Sequence, residues 1–366
     1  MNEKELLWLW LYHVVGPCSD RYKVLLEQYG YLEEIYRDRK GSRLMNLLPP
    51  AAYKRACTAE KGDFEQTAER LARIGARMIV YNDTLYPARL RATRVPPMLL
   101  FVTGNVKALS APQMIAGVGT RHITQYGRDT VEHICRPIAE AGVTLVSGLA
   151  HGTDTEVHRA ALRYGAPTVA VLGTAIDRTY PAANAALRAE IEAAGGAVVS
   201  EYPPGAYESR WNFPQRNRII SGLSRAVIIF EGSQKSGTMI TANWALDDGR
   251  DVFAVPGSIL SEQSSGTNRL IELGAAPALS GESILQQLAV PYTPKAAAAQ
   301  QKPAQQKFSA DEKKIIACLQ TGEKHTEQLM SETGLAPHLL FSALTELEIN
   351  GTVKALPGSR YQISYQ

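Results

Sequence analysis

Met114-Ile115-Ala116-Gly117-Val118-Gly119-Thr120-Arg121-His122 opens the segment that decides the fold. Met114 to Val118 reads as a short strand and the glycines make a turn. The apolar positions that follow, Val131, Ile134, Cys135 and Ile138, recur at helical spacing. Pro137 falls inside that helix and is expected to kink it. The rhythm then repeats. Val143 to Val146 is a second strand running into Ser147-Gly148, and Thr168 to Leu172 is a third ending at Gly173. Ala197 to Ser200, Ala226 to Phe230 and Val252 to Val255 continue the series. Short apolar strands alternating with helices predict an α/β, doubly wound, mostly parallel sheet covered on both faces. Ligands of such sheets bind beyond the carboxyl ends of the strands, where strand order reverses. Here those ends carry Gly119-Thr120-Arg121, Ser147-Gly148, Gly173-Thr174, Glu201-Tyr202 and Glu231-Gly232.

The flanks differ in character. Residues 1–75 read as short helices, with Leu6, Leu7, Leu9 and Trp10 on one apolar face and Tyr22, Leu25, Leu26 and Tyr29 on another. Gly16-Pro17, Gly30 and Gly75 punctuate them, in the manner of a SAM-like or helix-hairpin-helix domain, read here as structural. Residues 76–112 lead into the main 76–290 domain through the strands Met78 to Tyr81 and Met98 to Val102. Residues 291–308 are rich in Pro, Ala, Gln and Lys without apolar period, a linker. In 309–366, helices marked by Ile315, Leu329 and Leu344 precede a hairpin around Pro357-Gly358, the order of a winged helix.

The 366 residues carry 39 Lys and Arg against 36 Asp and Glu, so any basic site is local. The apolar run Leu6 to Val15 is too short to span a membrane, and the acidic start Met1-Asn2-Glu3-Lys4-Glu5 is no signal peptide. Four scattered cysteines, without a C-x-x-C pair, fit a reducing compartment; a cytoplasmic protein is expected.

Several segments could hold an anion. Gly117-Val118-Gly119-Thr120-Arg121-His122 begins like a dinucleotide fingerprint, but His122 replaces the third glycine and the ribose-binding acid is missing, so no nicotinamide or flavin cofactor is expected. Phosphate binding is still permitted: glycines let backbone N–H groups approach, and Arg121 adds a forked donor. Beyond Ser147-Gly148, Thr153 and Glu156 have capping-box spacing. Asp154 and His158, at i and i+4, read as a surface pair; with no third firm ligand, no metal is expected. Lys235-Ser236-Gly237-Thr238 starts a helix after a strand and offers N–H groups, hydroxyls and an ammonium, though without Walker A order.

Ser209-Arg210-Trp211-Asn212-Phe213-Pro214-Gln215-Arg216-Asn217-Arg218-Ile219-Ile220-Ser221-Gly222-Leu223-Ser224 is the most telling stretch for function. It mixes three arginines with two aromatics and contains no acid. Cations track phosphates and flat rings stack on unpaired bases. Arg121, Arg210, Arg216, Arg218 and Lys235 are expected to line a groove in which Phe213 stacks. Arg216 and Arg218 are two apart and cannot share a helical face, so in a helix one would pair with Glu201 or Glu231 inside.

Together these segments resemble the DNA-processing protein A (DprA/Smf) family. The resemblance rests on Ser147-Gly148-Leu149-Ala150 with Gly152 and Asp154, Tyr180-Pro181, Ser200-Glu201-Tyr202-Pro203-Pro204-Gly205, Asn212-Phe213-Pro214 with Arg216-Asn217-Arg218, Ser236-Gly237-Thr238, Phe253 to Ser258 and Asn268 to Ile271. It covers about 76–290. It implies an extended Rossmann-like fold, often dimeric, that binds single-stranded DNA, protects incoming DNA during natural transformation and helps load the RecA recombinase, without catalysis. It implies DNA contacts at the positions of Arg121, Arg210 and Phe213. Thr120 stands where the family usually has serine, His151 where it has arginine and Thr153 where it has isoleucine. An enzymatic alternative is a nucleotide N-glycosidase of related fold, whose Pro-Gly-Gly-x-Gly-Thr-x-x-Glu motif is matched at Gly237-Thr238. Thr241 stands in place of its glutamate, leaving acid–base chemistry without an agent. A duplex-reading regulator is the third alternative, but the presumed recognition helix, Pro337 to Asn350, contains no Lys or Arg; that domain is expected to contact protein.

Overall fold

The computed structural model describes residues 3–293 and 308–364. Most of the expected linker, 291–308, lies outside the described residues. The chain opens with helices α1 (Glu3–Val15), α2 (Arg21–Tyr29), α3 (Leu32–Arg37), α4 (Ser42–Leu47), α5 (Pro50–Thr58) and α6 (Glu65–Arg73). It continues through β1 (Arg77–Val80), α7 (Ala88–Arg91), β2 (Leu99–Gly104), β3 (Met114–Val118), α8 (Gln125–Glu140), β4 (Thr144–Ser147), α9 (Thr153–Arg163) and β5 (Thr168–Leu172). Then come α10 (Ala185–Ala193), β6 (Ala197–Ser200), α11 (Asn212–Leu223), β7 (Ala226–Ile229), α12 (Gly237–Asp247), β8 (Asp251–Ala254), α13 (Glu262–Glu272), β9 (Ala276–Pro277) and α14 (Gly281–Gln287).

These strands form a nine-stranded sheet in the order β1-β2-β6-β5-β4-β3-β7-β8-β9. Strands β3 to β9 pair in parallel, whereas β2 joins β6 and β1 joins β2 antiparallel. The order reverses between β3 and β7, so the Gly119-Thr120-Arg121 and Lys235-Thr238 loops border the switch point. Every residue of β3 to β7 is buried. Successive side chains feed opposite faces: Ala226 and Ile228 enter one core, Val227 and Ile229 the other. The last strand, β9, is two residues long and ends on Pro277.

Helix α1 buries Leu7, Trp8, Leu9, Trp10, Leu11 and Val14, far more than one stripe, because helices surround it. The Trp10 indole donates to Ala59 O at 3.2 Å. Gly16, at φ 85°, ends the helix before Pro17. The helices of 1–75 share one core with the sheet, in which Leu11, Tyr22 and Leu44 join Phe101, Leu172 and Val198. Both lie in the compact unit 1–295. Among the described residues no helix is long and apolar enough to cross a membrane.

The second unit, 296–366, is built from α15 (Ala310–Leu319), β10 (Lys324–His325), α16 (Thr326–Thr333), α17 (Pro337–Ile349), β11 (Val353–Leu356) and β12 (Arg360–Ile363). Ser309 and Glu312 cap α15 reciprocally. The expected hairpin β11–β12 gains a third strand, β10, on the far side of β12. Ile315, Leu329, Leu340, Leu344 and Val353 fill its core.

Two local expectations are corrected. Thr153 and Glu156 form no capping box: Gly152, at φ 74°, holds the N-cap of α9, and the Thr153 N–H and hydroxyl both donate to Thr120 O, at 3.1 and 3.2 Å. The turn is tied to the neighbouring loop instead. Asp154 and His158 are not a surface pair, since both are buried. Asp154 accepts from Ala150 N, and His158 Nδ1 lies 2.7 Å from Thr168 Oγ1. That hydroxyl donates to Leu145 O, so it must accept from His158; the imidazole is the Nδ1–H tautomer and Nε2 is a buried, unpaired acceptor.

Burial, aided by the Arg216 charge, lowers the His158 pKa to about 3. The unfolded chain therefore binds a proton that the native state refuses between pH 6.5 and about 3, and stability falls as pH falls through this window. Burial raises the Asp154 pKa, which acts in the opposite sense. Comparing His158→Gln with the parent isolates the imidazole. Urea denaturation at pH 6 and pH 4.5 is expected to show a shallower pH dependence in the variant, by up to about 1.4 kcal/mol per pH unit. Equal slopes would refute a neutral His158.

Candidate nucleic-acid interface

The interface is set by how α11 is held. Its apolar residues Ile219, Ile220 and Leu223 face the sheet, and its two inner arginines are buried with them. Arg218 is 2% exposed, and its Nη2 donates to both Glu201 oxygens, at 2.6 and 2.7 Å. Its Nε donates to the Cys18 sulfur at 3.3 Å, and the Cys18 N–H reaches Glu201 Oε1 at 3.1 Å. Burial lowers the Arg218 pKa, but Glu201 and Cys18 outweigh it and the net shift is upward. Arg216 turns the other way. Its Nη1 donates to Gly148 O at 2.6 Å and to Val171 O, beyond β4 and at the end of β5. Burial lowers its pKa to about 10, against the pull of Asp154, and it stays charged at neutral pH.

The expectation that Arg216 and Arg218 line a groove is therefore corrected. Two positions apart on a helix they point to different neighbours, and both guanidiniums are buried on partners inside the protein, with Nη1 of Arg218 left unbonded. The suggested inner pairing with Glu201 is realised by Arg218. Glu231 serves elsewhere. Its carboxylate accepts from Thr124 N at 3.0 Å and Thr124 Oγ1 at 2.6 Å, bracing the start of α8. It also borders a cleft of about 360 Å³ beside Tyr126, Ser258 and Ser261.

What α11 presents to solvent is its first turn. Phe213 is half-buried over the end of β5, where Gly173 makes room: a Cβ there would stand 2.7 Å from the ring. The Arg121 guanidinium, exposed after β3, lies 5.5 Å from the Phe213 ring centre. The Tyr180 ring, half exposed, lies 5.4 Å from it at 50°. Arg121, Phe213 and Tyr180 thus form one cationic and aromatic cluster beyond the strand ends. Arg210 is exposed and stands 5.1 Å from the centre of the Trp211 ring.

The remaining candidates divide between surface and scaffold. Lys235 and Gly237 are exposed, while Ser236 and Thr238 sit lower at the start of α12. Asn217 links this loop to α11, its Nδ2 donating to Gly237 O at 3.4 Å. Ser147 is fully buried and donates to Gly117 O at 2.7 Å. Gly148 is the seat of Arg216, since a Cβ there would meet the guanidinium at 2.6 Å. Gly119 plays the same part for Thr153, at 2.4 Å, and Thr120 braces its turn by accepting from His122 N. Tyr180 is the member of the cluster that sequence reasoning misses as a contact residue, although Tyr180-Pro181 stands among the motifs. Its partner Phe213 is 33 positions away, so only the fold joins them.

Glu201→Ala leaves Arg218 charged and buried without its partner, and is expected to cost about 3–5 kcal/mol of unfolding free energy. The double variant Glu201→Leu with Arg218→Met is expected to regain much of that loss. A double-mutant cycle by urea denaturation checks both; additive losses would show that the pair is not coupled.

The chain is similar to known proteins over most of its length. The family model described as DNA recombination-mediator protein A matches residues 77–289, and the DprA winged helix domain matches 294–359. The DNA processing protein DprA of Bacillus subtilis is 39% identical over 237 residues, spanning 63% of this chain and 80% of that protein. Protein Smf of Escherichia coli is 36% identical over 286 residues, spanning 77% of this chain and 76% of that protein. Among solved structures, DNA processing protein A of Streptococcus pneumoniae superposes with a TM-score of 0.66 at 33% identity, covering 78% of this chain and 98% of that one. The Helicobacter pylori protein, described for its single-stranded DNA binding mode, gives 0.54 at 29% identity over 61% of this chain and 99% of that one. With its main α/β domain and its winged helix both matched, the chain belongs to the DNA recombination-mediator protein A family, the DprA/Smf proteins.

Proposed function

We propose that this protein binds single-stranded DNA along the carboxyl ends of its central strands, protects incoming DNA during natural transformation and delivers it to the RecA recombinase. The observation that carries the binding step is the placement of Arg121 against Phe213, with the Tyr180 ring beside it. A guanidinium beside an accessible ring offers one nucleotide both of the contacts a single strand needs, an ionic one for phosphate and a flat one for base. Lys235 and the Gly237-Thr238 amides, beyond β7, extend the track past the switch point, and Arg210 extends it past Phe213. Gly119, Thr120, Ser147, Gly148 and Asn217 shape the loops from beneath. Arg216 and Arg218 act as scaffold.

The family's single-strand binder from Helicobacter pylori supports the ligand class. RecA and a homodimeric state come with the family resemblance, and a cytoplasmic setting with the four scattered cysteines. The winged helix presents Leu339 and Phe341 half-exposed on α17 and no Lys or Arg there, which suits a protein partner better than a duplex.

Fluorescence anisotropy with a labelled single strand and its matching duplex, across a salt series, tests the reading. Tight single-strand binding is expected. Phe213→Ala should weaken it about 5- to 150-fold, the loss of one stacked base. Arg121→Ala should also lower the slope of log affinity against log salt by about 0.7. Deleting 309–366 should leave the affinity unchanged. Binding to duplex alone, or to neither, would overturn the proposal. Co-sedimentation of the full chain and the truncated chain with purified RecA tests the partner separately, and absence of association in both would remove that step.

A further inference from the structure

Trp211 stands largely in solvent at the start of α11. Of the four tryptophans, Trp8 and Trp10 are buried and Trp244 is half-buried, whereas Trp211 is 63% exposed. It occupies the N-cap of α11 and makes no side-chain capping bond. Ser, Thr, Asp or Asn would stabilise that position better. The capping work is done by Ser209 instead: its hydroxyl accepts from Trp211 N at 3.3 Å and its carbonyl from Asn212 N at 3.0 Å. The backbone beneath the indole is thereby fixed. The ring carries a cation, Arg210, 5.1 Å from its centre. The preceding acid, Glu208, is paired with Arg178 at 3.1 Å, so its charge is answered locally. Tyr207, four residues before Trp211, is 90% exposed.

Trp211 and Phe213 are two residues apart at the start of a helix, so their side chains leave the axis about 200° apart. They cannot stack on the same base. Phe213 turns toward Gly173, Tyr180 and Arg121, while Trp211 turns to the opposite side with Arg210. Between them lies the N-terminus of α11, whose dipole favours an anion although Ser209 already accepts from the Trp211 and Asn212 N–H groups.

We propose that Trp211, with Arg210 against its ring, is a second base-stacking platform: a single strand crosses the α11 N-terminus with one base on Phe213 and a later or earlier base on Trp211. This rests on the single-strand reading above. It makes the contact site longer than the Arg121–Phe213 cluster and places an intrinsic fluorophore within it.

The test is a titration of the full chain with oligothymidines lengthened one nucleotide at a time, read by anisotropy and by tryptophan fluorescence. Wild-type fluorescence should be quenched on binding, and the quench should vanish in Trp211→Ala. The variant should bind short strands like wild type and fall about 5- to 150-fold behind once the strand is long enough to reach the second ring. Its salt slope should stay unchanged, because stacking releases no counterions. Phe213→Ala, by contrast, should be deficient at every length. Trp211→Phe should restore most of the affinity, and unchanged thermal melting of both Trp211 variants would show that folding is intact. If wild type binds but Trp211→Ala matches it at every length and no quench is seen, the second platform is overturned. If wild type binds no single strand, the functional reading itself fails.

Discussion

Two guanidiniums inside the protein fix everything that α11 shows outside. Moving a charge from water into a protein interior costs several kcal/mol unless partners replace the lost solvent. Arg218 finds them in Glu201 and Cys18, and Arg216 in the carbonyls of Gly148 and Val171. Neither arrangement tolerates rotation or sliding of the helix, because either would strand a charge. The first turn of α11, with Phe213 and Trp211, is therefore held by interactions near its middle. Ser209 beneath Trp211 and Gly173 beneath Phe213 complete the support locally.

The loops around it are tied in the same manner. Ser147 joins Gly117 and Ser200 joins Thr174 through short polar bonds at neighbouring strand ends, and Thr153 at the start of α9 joins Thr120 in the loop after β3. Small residues recur there because loops and helices approach closely. A surface organised before its ligand arrives loses less conformational entropy on binding. It also needs few charges, consistent with a chain whose net charge is only +3.

The sheet is legible in the sequence because its strands are short apolar runs at regular intervals, and parallel strands buried on both faces produce that pattern. Phe213 and Arg121 are legible as chemistry. Direction is not. Arg210, Arg216 and Arg218 look alike in sequence, yet one faces solvent and two face inward, and the difference lies in partners such as Gly148 and Glu201 that are far away in the chain. Thr153 departs from expectation for the same reason: capping-box spacing is a local signal, but the Thr120 carbonyl, supplied by the next loop, competes for its hydroxyl. For Asp154 and His158 the sequence offers only helical spacing, which cannot tell a solvated face from one covered by the sheet.

The shortness of β9 has a consequence for assembly. Its last residue, Pro277, pairs with Ala254 on one side and has no N–H to offer on the other. An incoming strand could not continue the ladder across that position, so this border of the sheet resists lengthening by backbone pairing. Any second chain meeting the molecule here must be recognised through side chains and shape, which can be selective, rather than through the generic hydrogen bonding that makes bare sheet edges adhesive.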